Sequence, residues 1–332
     1  MGGPLIRTLL ALLLVVAAGA PVALAQQAPR YTVDIATVLD PNHPLTLAGN
    51  VWARLVNERS GGRVKATVYP NSQLGGDRET IQATQGGLIQ GVLDTTTKTS
   101  NFVRELAALD LPYLARSTDE AYRLLDGAIG EEMKRHALRG GFRAMSFWEA
   151  SIRSVYSSRR QIRSIDDMRG LKIRVIQSPS FVTLFRALGS SPVPMAFGEL
   201  YTALAQGTVD AAENDLVTYY TTKHYEVARN LAVTNHIFLV NTLWLSERFW
   251  RTLPADIQRI MQEADGEARA FLRKNRAERE QQVERLLKQA GVTFTSPDLS
   301  AFVEAARKTY PQFEERVGKE LIQKILAALQ QR

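Results

Sequence analysis

The sequence of 332 residues contains no cysteine, and this absence excludes disulfide bonds, thiol catalysis and a lipid-modified N-terminal cysteine. A chain of this length does not need disulfides for stability, even in an oxidising compartment. Hydrophobic residues make up 45% of the sequence, which is enough to build a large core. The length predicts one large domain or two lobes.

Histidine is also scarce, and the motifs of common catalytic sites are missing. The four histidines are scattered, and none has another histidine four residues away, as helical metal sites require. The sequence contains no Gly-x-Ser-x-Gly elbow, no phosphate-binding glycine-rich loop and no dinucleotide fingerprint. The paired acids Glu131-Glu132 and Asp166-Asp167 fall in the first turns of predicted helices, where acids suit the helix dipole. We therefore expect no catalytic residue, no metal site and no cofactor.

Long apolar runs are confined to the first 25 residues. Arg7 is the only charged residue there, residues 9–20 are almost all apolar, and Ala23-Leu24-Ala25 has the small-x-small pattern of a cleavage site. The run is too short for a membrane-spanning helix, so we predict a secretory signal peptide, residues 1–25, cleaved after Ala25. No later stretch is apolar enough to span a membrane, so we expect a soluble protein in the periplasm.

The excess of positive charge is mild. The formal net charge is +7, and it falls to +6 once Arg7 is removed with the signal peptide. Basic and acidic residues are interspersed, and no basic run is interleaved with aromatic residues, so we exclude nucleic acid as a partner. A mild positive field favours small anions instead.

The remainder of the chain alternates strand-like and helix-like segments. Strands are predicted at residues 31–37, 64–69 and 88–93, with amphipathic helices between them. This alternation with short links predicts βαβ units and a largely parallel sheet.

Two predicted elements are unusually long. Residues 142–157 form an extended stretch of a length that often crosses between lobes. Residues 255–290 contain no proline and keep a helical apolar stripe. A helix of that length extends over roughly 54 Å, longer than a lobe. Since its apolar spacing is not a sustained heptad, we expect it to lie across both lobes and not in a coiled coil.

Arg174 lies near the end of a predicted strand in the segment GLKIRVIQSPSF, residues 170–181. Ser178 and Pro179 suit the start of a helix that follows this strand. The residues alone leave three interpretations of Arg174 open: a solvated charge, half of an ion pair, or a ligand-binding group. A salt bridge to Asp166, Asp167 or Glu213 is the default among them.

Other polar groups also lie where elements end, which is where α/β folds bind ligands. Two aromatic side chains could form the walls of a cleft there. The candidates for this site are Arg174, Arg153, Asn214, Thr95 and Thr96, with Trp148 and Phe197 as walls. Arginine binds a carboxylate through two parallel hydrogen bonds and does not deprotonate. The residues therefore predict an exported two-lobed α/β protein that binds a small anion.

A series of motifs makes a family resemblance visible. In chain order they are His43-Pro44, residues 60–64 (SGGRV), residues 68–79 (VYPNSQLGGDRE), residues 110–114 (DLPYL), Asp126-Gly127, residues 170–175 (GLKIRV), residues 194–204 (PMAFGELYTAL), residues 209–214 (VDAAEN) and residues 234–236 (TNH). With these motifs the chain resembles the solute-binding subunits of tripartite ATP-independent periplasmic (TRAP) transporters, the dicarboxylate-binding protein family. The resemblance runs from about residue 32 to residue 263 and continues more loosely.

The resemblance implies a two-lobed α/β periplasmic binding protein fold with mixed sheets, crossing hinge strands and a long helix that spans both lobes. We expect residues 26–152 and 240–279 in the first lobe, and residues 153–239 and 280–332 in the second. The ligand is expected in the cleft between them, with closure on binding, and the protein is expected to be a monomer.

The resemblance also implies roles for the candidate residues. Arg174 matches the family arginine that makes a bidentate salt bridge to a substrate carboxylate. Arg153 matches the second arginine, Asn214 the amide, and Phe197 the aromatic residue of the ligand site. Three further candidates align only roughly with positions that line the cleft: Thr95, Thr96 and Trp148.

The chain departs from the family pattern at three places. Ala211 replaces a usual glycine, Ala150-Ser151 stand where many relatives have Asn-Gly, and residues 94–97 are threonine-rich instead of carrying the acid of some sialic-acid binders. The last departure weakens a sialic-acid assignment. It leaves dicarboxylates, keto acids, aromatic acids and sugar acids open.

The resulting prediction is a TRAP solute-binding subunit that captures a small organic acid and delivers it to the membrane permease subunits. Two other classes share parts of this pattern. A periplasmic receptor that feeds a sensor would use the same residues, and an exported enzyme would use Glu213 as a base.

Overall fold

A computed structural model of the chain describes residues 29–330. The predicted signal peptide and its cleavage site after Ala25 lie outside these residues.

Within the described residues, nine strands form one mixed sheet. They are β1 (Tyr31–Ala36), β2 (Val64–Tyr69), β3 (Gly91–Thr95), β4 (Phe142–Ser157), β5 (Lys172–Val175), β6 (Ser191–Pro194), β7 (Ala211–Asn214), β8 (Asn230–Ser246) and β9 (Thr293–Thr295). The order is β2-β1-β3-β8-β4-β7-β5-β6, and β9 pairs with β8. Strands β1 to β3 are mutually parallel, as are β5 to β7, whereas β8 and β4 join the two groups by antiparallel pairing.

The helices cover both faces of this sheet. They are α1 (Pro44–Arg59), α2 (Asp77–Gly86), α3 (Thr96–Thr99), α4 (Thr118–Asp126), α5 (Ala128–Arg139), α6 (Pro179–Ala187), α7 (Leu200–Ala205), α8 (Leu216–Thr221), α9 (His224–Val227), α10 (Glu247–Trp250), α11 (Ala255–Gln289), α12 (Ser300–Arg307), α13 (Tyr310–Val317) and α14 (Lys319–Gln330). Short 3-10 helices at Arg104–Asp110, Ile165–Met168 and Phe197–Glu199 complete the connections.

Strands β4 and β8 are the predicted crossing strands. They have 16 and 17 residues and pair with each other along most of their length. The first half of β4 pairs with the part of β8 that also pairs with β3. The second half of β4 pairs with β7. Register shifts between Phe147 and Glu149 and between Arg153 and Val155 interrupt the ladder near the crossing. Such irregularities bend strands, so they place the hinge beside the cleft.

Helix α11 is the predicted long helix, with 35 residues. Its first half packs in the core of the first lobe, where the indole of Trp52 donates a hydrogen bond to the carbonyl of Met261 at 3.0 Å. Its last part contributes Val283 and Leu287 to a core of the second lobe. The prediction of a helix that lies across both lobes is therefore confirmed.

The helices at the C-terminus contact both lobes. Phe302 and Ala306 of α12 pack with second-lobe residues around β5 and α6. In contrast, Phe313 of α13 and Ile322 of α14 belong to a first-lobe core with α4 and α5. The residue division between lobes stays a prediction, and this packing favours placing residues 310–330 with the first lobe.

Some element boundaries differ from the sequence-based expectation. Strand β3 begins at Gly91 and not at Leu88, because Gly87 takes a left-handed conformation (φ 82°) that ends α2 and Leu88 is exposed. Lys223 (φ 59°) separates α8 from α9, so the segment after β7 forms two short helices and not one. Strand β3 also ends two residues later than predicted, so Asp94 and Thr95 form its end beside the cleft.

Candidate functional site

A cavity of about 530 Å³ lies between the two lobes. Its polar lining comes from the first lobe (His43, Asp94, Thr95 and Lys98), from the second lobe (Arg174, Asn214, Asp215 and Thr218) and from the crossing strands (Glu149, Arg153 and Asn241). Its apolar lining includes Leu39, Leu93, Ile176, Phe197 and Leu239. A neighbouring pocket of about 360 Å³ shares Lys98, Arg174 and Ile176 with it.

Five of the predicted site residues line this cavity together: Arg174, Arg153, Asn214, Phe197 and Thr95. Thr95, Arg174 and Asn214 lie at or next to the C-terminal ends of β3, β5 and β7. Arg153 joins them from within β4, and Phe197 from the start of a 3-10 helix. This is the place where a sheet of this type binds ligands.

Arg174 is a buried cation without a carboxylate partner among residues 29–330. Its side chain is 1% exposed. Its Nε and Nη2 both donate to the carbonyl of Met195, at 3.0 and 2.7 Å. Within the described chain Nη1 has no hydrogen-bond partner, and the guanidinium lies 5.8 Å from the centre of the Phe197 ring. Burial lowers the pKa of Arg174 below its usual value, although Glu213 acts in the opposite direction. An arginine remains charged even so.

The salt bridge expected as the default for Arg174 is made by Arg153 instead. Nε of Arg153 lies 2.5 Å from Oε2 of Glu213, and Nη2 donates to Oε1 and to the main-chain carbonyl of the same residue. Nη1 of Arg153 donates to Oδ1 of Asn214. Strand register explains the pairing, since Val155 lies opposite Glu213 in the adjacent strand. The charge of Arg153 is thus balanced inside the protein.

Glu213 is therefore poorly suited to act as a base. Burial would raise the pKa of Glu213, but the charge and hydrogen bonds of Arg153 and a bond from His236 hold it below its usual value. A carboxylate with a lowered pKa takes up a proton weakly. Glu213 also does not belong to the cavity lining.

His43 connects the two lobes across the cavity. As the N-cap of α1 it accepts a hydrogen bond at Nδ1 from the backbone of Leu45, at 3.2 Å. This assigns the proton to Nε2, which donates to Oγ1 of Thr218 in α8 at 3.1 Å. Thr218 in turn donates to Oδ2 of Asp215 at 2.7 Å. A ring whose Nδ1 accepts a hydrogen bond is neutral, and burial lowers the pKa of His43 in agreement with this.

Lys98 is held by two carboxylates at the first-lobe side of the cavity. Its Nζ lies 2.6 Å from Oδ1 of Asp77 and 2.9 Å from Oδ1 of Asp94. Asp94 also accepts the backbone N–H of Thr95, and the Thr95 hydroxyl accepts the backbone N–H of Lys98. Burial raises the pKa of Asp94 to about 7, despite the neighbouring Lys98 charge.

Glu149 occupies the crossing strand at the cavity wall. Its Oε1 lies 2.6 Å from Nη1 of Arg276 in α11, and its Oε2 accepts from Asn241 at 3.3 Å. Arg276 pairs with Glu280 as well. Burial raises the pKa of Glu149 to about 7, although Arg276 opposes the shift.

The structure does not bring Trp148 and Thr96 to the cavity lining. Trp148 points to the face of β4 opposite Glu149, because side chains alternate along a strand. Its indole donates to Oδ1 of Asp265 at 2.5 Å, inside the core of the first lobe. Thr96 is buried as the first residue of α3.

Sequence reasoning missed several polar residues of the lining. Asp94 directly precedes a predicted residue, Asp215 directly follows one, and Lys98 stands four residues after Asp94. Their closeness in sequence to predicted site residues was enough to identify these three as candidates. No local pattern identifies Glu149 and Asn241, because their contact depends on the register between β4 and β8.

Residues 29–330 contain neither a candidate metal cluster nor a candidate membrane-spanning helix. No group of three or more histidine, aspartate or glutamate side chains in this part of the chain could hold a metal ion. No helix described here combines the length and the apolar character that crossing a membrane requires.

Comparison with known protein families identifies the family to which the chain belongs. The family model of the bacterial extracellular solute-binding proteins, family 7, matches residues 35–316. The chain belongs to this family. The match confirms the resemblance to TRAP solute-binding proteins, a family of binding proteins and not of enzymes.

This solute-binding protein is similar in sequence to a C4-dicarboxylate-binding periplasmic protein of Vibrio cholerae. The two are 31% identical over 87% of each chain.

Two crystal structures of TRAP periplasmic solute-binding proteins share its fold. One, from Sulfurospirillum deleyianum with bound succinate, is 32% identical, with a TM-score of 0.84 over 90% of this chain and 99% of the other. Another, from a Bradyrhizobium species in complex with galacturonate, is 31% identical, with a TM-score of 0.86 over 89% and 99%. The predicted two-lobed α/β fold is confirmed.

Proposed function

We propose that this protein captures a small organic acid between its lobes in the periplasm and delivers it to the membrane permease subunits of a TRAP transporter. The observation that carries the proposal is the state of Arg174. Its guanidinium lines the cavity, is nearly inaccessible, and has an Nη1 without a partner among the described residues. A buried cation of this kind is strongly stabilised by an incoming carboxylate.

The relatives support a carboxylate ligand. The Vibrio cholerae protein is named for C4-dicarboxylates, and the two crystal structures contain succinate and galacturonate. These ligands differ in length, hydroxyl groups and number of charges. Each of them carries at least one carboxylate, which is the group that Arg174 would bind.

The other predicted residues have supporting roles in this proposal. Arg153 holds Asn214 in position and neutralises Glu213, so it contributes indirectly more than as a second ligand cation. Asn214, Thr95 and Phe197 contact the remainder of the ligand. A charge-assisted hydrogen bond contributes about 1.5–3 kcal/mol. Micromolar binding requires about 8 kcal/mol, so two such bonds and burial of the ligand in the cavity account for it.

The proposal is tested by replacing Arg174 and titrating organic acids by calorimetry, after a thermal-shift screen of aldonates, uronates and dicarboxylates. We expect the wild type to bind at least one acid at micromolar concentration. Arg174→Lys should weaken binding about 100-fold, because one ammonium group cannot reproduce the two parallel hydrogen bonds of a guanidinium.

Arg169→Ala is the matched control, since Arg169 is an exposed arginine that pairs with Asp166 just before β5. It should bind as the wild type does. Unchanged affinity in a folded Arg174→Lys variant, or no binding of any acid by the wild type, would contradict the proposal.

A further inference from the structure

We propose that the ligand is a monocarboxylate that carries several hydroxyl groups, an aldonate or a uronate, and that Asp94 and Glu149 select it over a dicarboxylate. This inference rests on the proposed function, because it takes Arg174 as the carboxylate site. It adds the chemical class of the remainder of the ligand and the residues that determine specificity.

The other cations at the cavity are already paired with carboxylates. Lys98 has two carboxylates within 3 Å, and Arg153 is paired with Glu213. Arg276, behind the lining, is paired with both Glu149 and Glu280. Of the arginines and lysines that line the cavity in residues 29–330, Arg174 alone has no salt bridge. A second ligand carboxylate would find no unpaired cation there.

Acidic side chains line the same cavity as Arg174. Asp94 lies at the end of β3, Glu149 on the crossing strand β4, and Asp215 before α8. They therefore line the cavity from three different elements. Ionised, they would repel a second carboxylate in a site with little water to screen them. A hydroxyl group, in contrast, can donate a hydrogen bond to each of them.

The cavity offers both acceptors and donors to hydroxyl groups. The hydrogen bonds found within residues 29–330 leave Oδ2 of Asp94 without a donor, and they leave the amide nitrogen of Asn214 and the amide oxygen of Asn241 without a partner. A hydroxyl group satisfies either kind of atom. Burial raises the pKa of Asp94 and of Glu149, and neighbouring acids add to the shift, so a further hydrogen-bond donor would stabilise each carboxylate.

The apolar part of the cavity lining fits the same ligand class. Leu93, Leu239 and Phe197 supply apolar walls for the carbon atoms of a hydroxy acid.

The test compares affinities for D-galacturonate, D-gluconate, succinate and adipate by calorimetry at pH 8, where Asp94 and Glu149 are mostly ionised. We expect the wild type to bind one of the two hydroxy acids at least 100-fold more tightly than either dicarboxylate. Asp94→Asn and Glu149→Gln keep the shape of the side chain and remove its negative charge. Each should reduce that preference at least tenfold.

Asp110→Asn is the matched control, because Asp110 is a buried carboxyl group of the first lobe outside the cavity lining, with a pKa raised to about 7 by burial. It should leave the preference unchanged.

The outcomes separate this inference from the proposed function. A wild type that binds a dicarboxylate most tightly, with binding still dependent on Arg174, overturns the inference and leaves the proposed function standing. A wild type that binds no acid overturns both. A preference unchanged in folded Asp94→Asn and Glu149→Gln variants overturns the roles of these two residues. The wild-type comparison needs no variant, so poor folding of a variant does not weaken it.

Discussion

Three buried carboxyl groups are the most unusual residues of this protein. Burial raises the pKa of Asp94, Asp110 and Glu149 to about 7 in each case. Asp94 and Glu149 line the cavity, where a ligand can compensate their burial. Asp110 does not, and it accepts a hydrogen bond of 2.5 Å from the hydroxyl of Thr97. The burial of Asp110 therefore lowers the stability of the folded protein at neutral pH.

Asp110→Asn should reveal this cost through its dependence on pH. Between the unfolded pKa near 4 and the folded pKa of about 7, the folded state holds a proton that the unfolded state has lost. The contribution of Asp110 to stability therefore falls as pH rises through this window, by up to about 1.4 kcal/mol per pH unit. Above pH 7 the contribution of Asp110 to stability stays low. The Asp110→Asn variant does not lose this contribution as the pH rises.

Urea unfolding at pH 5 and pH 8 measures the effect. The stability of the variant relative to the wild type should be higher at pH 8 than at pH 5. An equal difference at the two pH values would show that Asp110 is already ionised in the folded protein at pH 5.

At this scale the sequence predicted which residue types meet but not how they pair. Arg174, Arg153, Asn214, Phe197 and Thr95 were predicted and do line one cavity. Which arginine takes Glu213 depends on the register between strands that are far apart in sequence. A local pattern contains no information about that register, so the expected salt bridge of Arg174 was wrong.

Helix α11 is the element that ties the two lobes together. It packs in a first-lobe core and a second-lobe core, and its Arg276 pairs with Glu149 of the crossing strand. Within it, Gly266 has open space where a side chain would begin. A glycine in a helix interior loses more backbone freedom on folding than alanine does.

Gly266→Ala should therefore raise the free energy of unfolding by about 1 kcal/mol. Thermal or urea unfolding checks this. Gly130→Ala is the contrasting variant, since a Cβ there would lie 1.7 Å from the carbonyl oxygen of Leu125. It should destabilise the protein. A Gly266→Ala variant that is less stable than the wild type would contradict the expectation.

Long elements were predicted well and short ones less well. The sequence pattern predicted the bounds of β4, residues 142–157, and α11 ends one residue before its predicted end. A long element contains more residues that fit its periodic pattern, so its prediction rests on more evidence. The start of β3 and the break between α8 and α9 depend on single residues with positive φ, Gly87 and Lys223. Lysine rarely takes this conformation, so no local sequence pattern predicts the break.

At the scale of the whole molecule, contacts across the cavity hold the lobes together. They include the His43–Thr218 bridge and a hydrogen bond of 2.8 Å from the Asn101 side chain to the carbonyl of Gln177. Arg174 is 1% exposed, so under the proposed function a ligand would reach it by separation of the lobes. Each contact across the cavity would then oppose release of the ligand.

Asn101→Ala should shorten the lifetime of the complex without altering the cavity lining. A net hydrogen bond contributes about 0.5–1.5 kcal/mol, so affinity should fall by about 2- to 12-fold. The change should appear in the dissociation rate, measured by stopped-flow, because the contact forms after the ligand enters. Gln73→Ala, an exposed loop residue, is the control. A slower association rate with unchanged dissociation would contradict this account.

The crossing strands also dictate the order in which the molecule can fold. Gly91 of β3 pairs with Leu245 of β8, so β3 lacks its partner strand until the chain has passed through residues 153–239, most of the second lobe. Until then β3 presents an unpaired edge. Contacts of such sequence separation make folding slow, since a long loop must close before they form. The first lobe is therefore an incomplete unit during synthesis, and its N-terminal half cannot be expected to fold as a separate fragment.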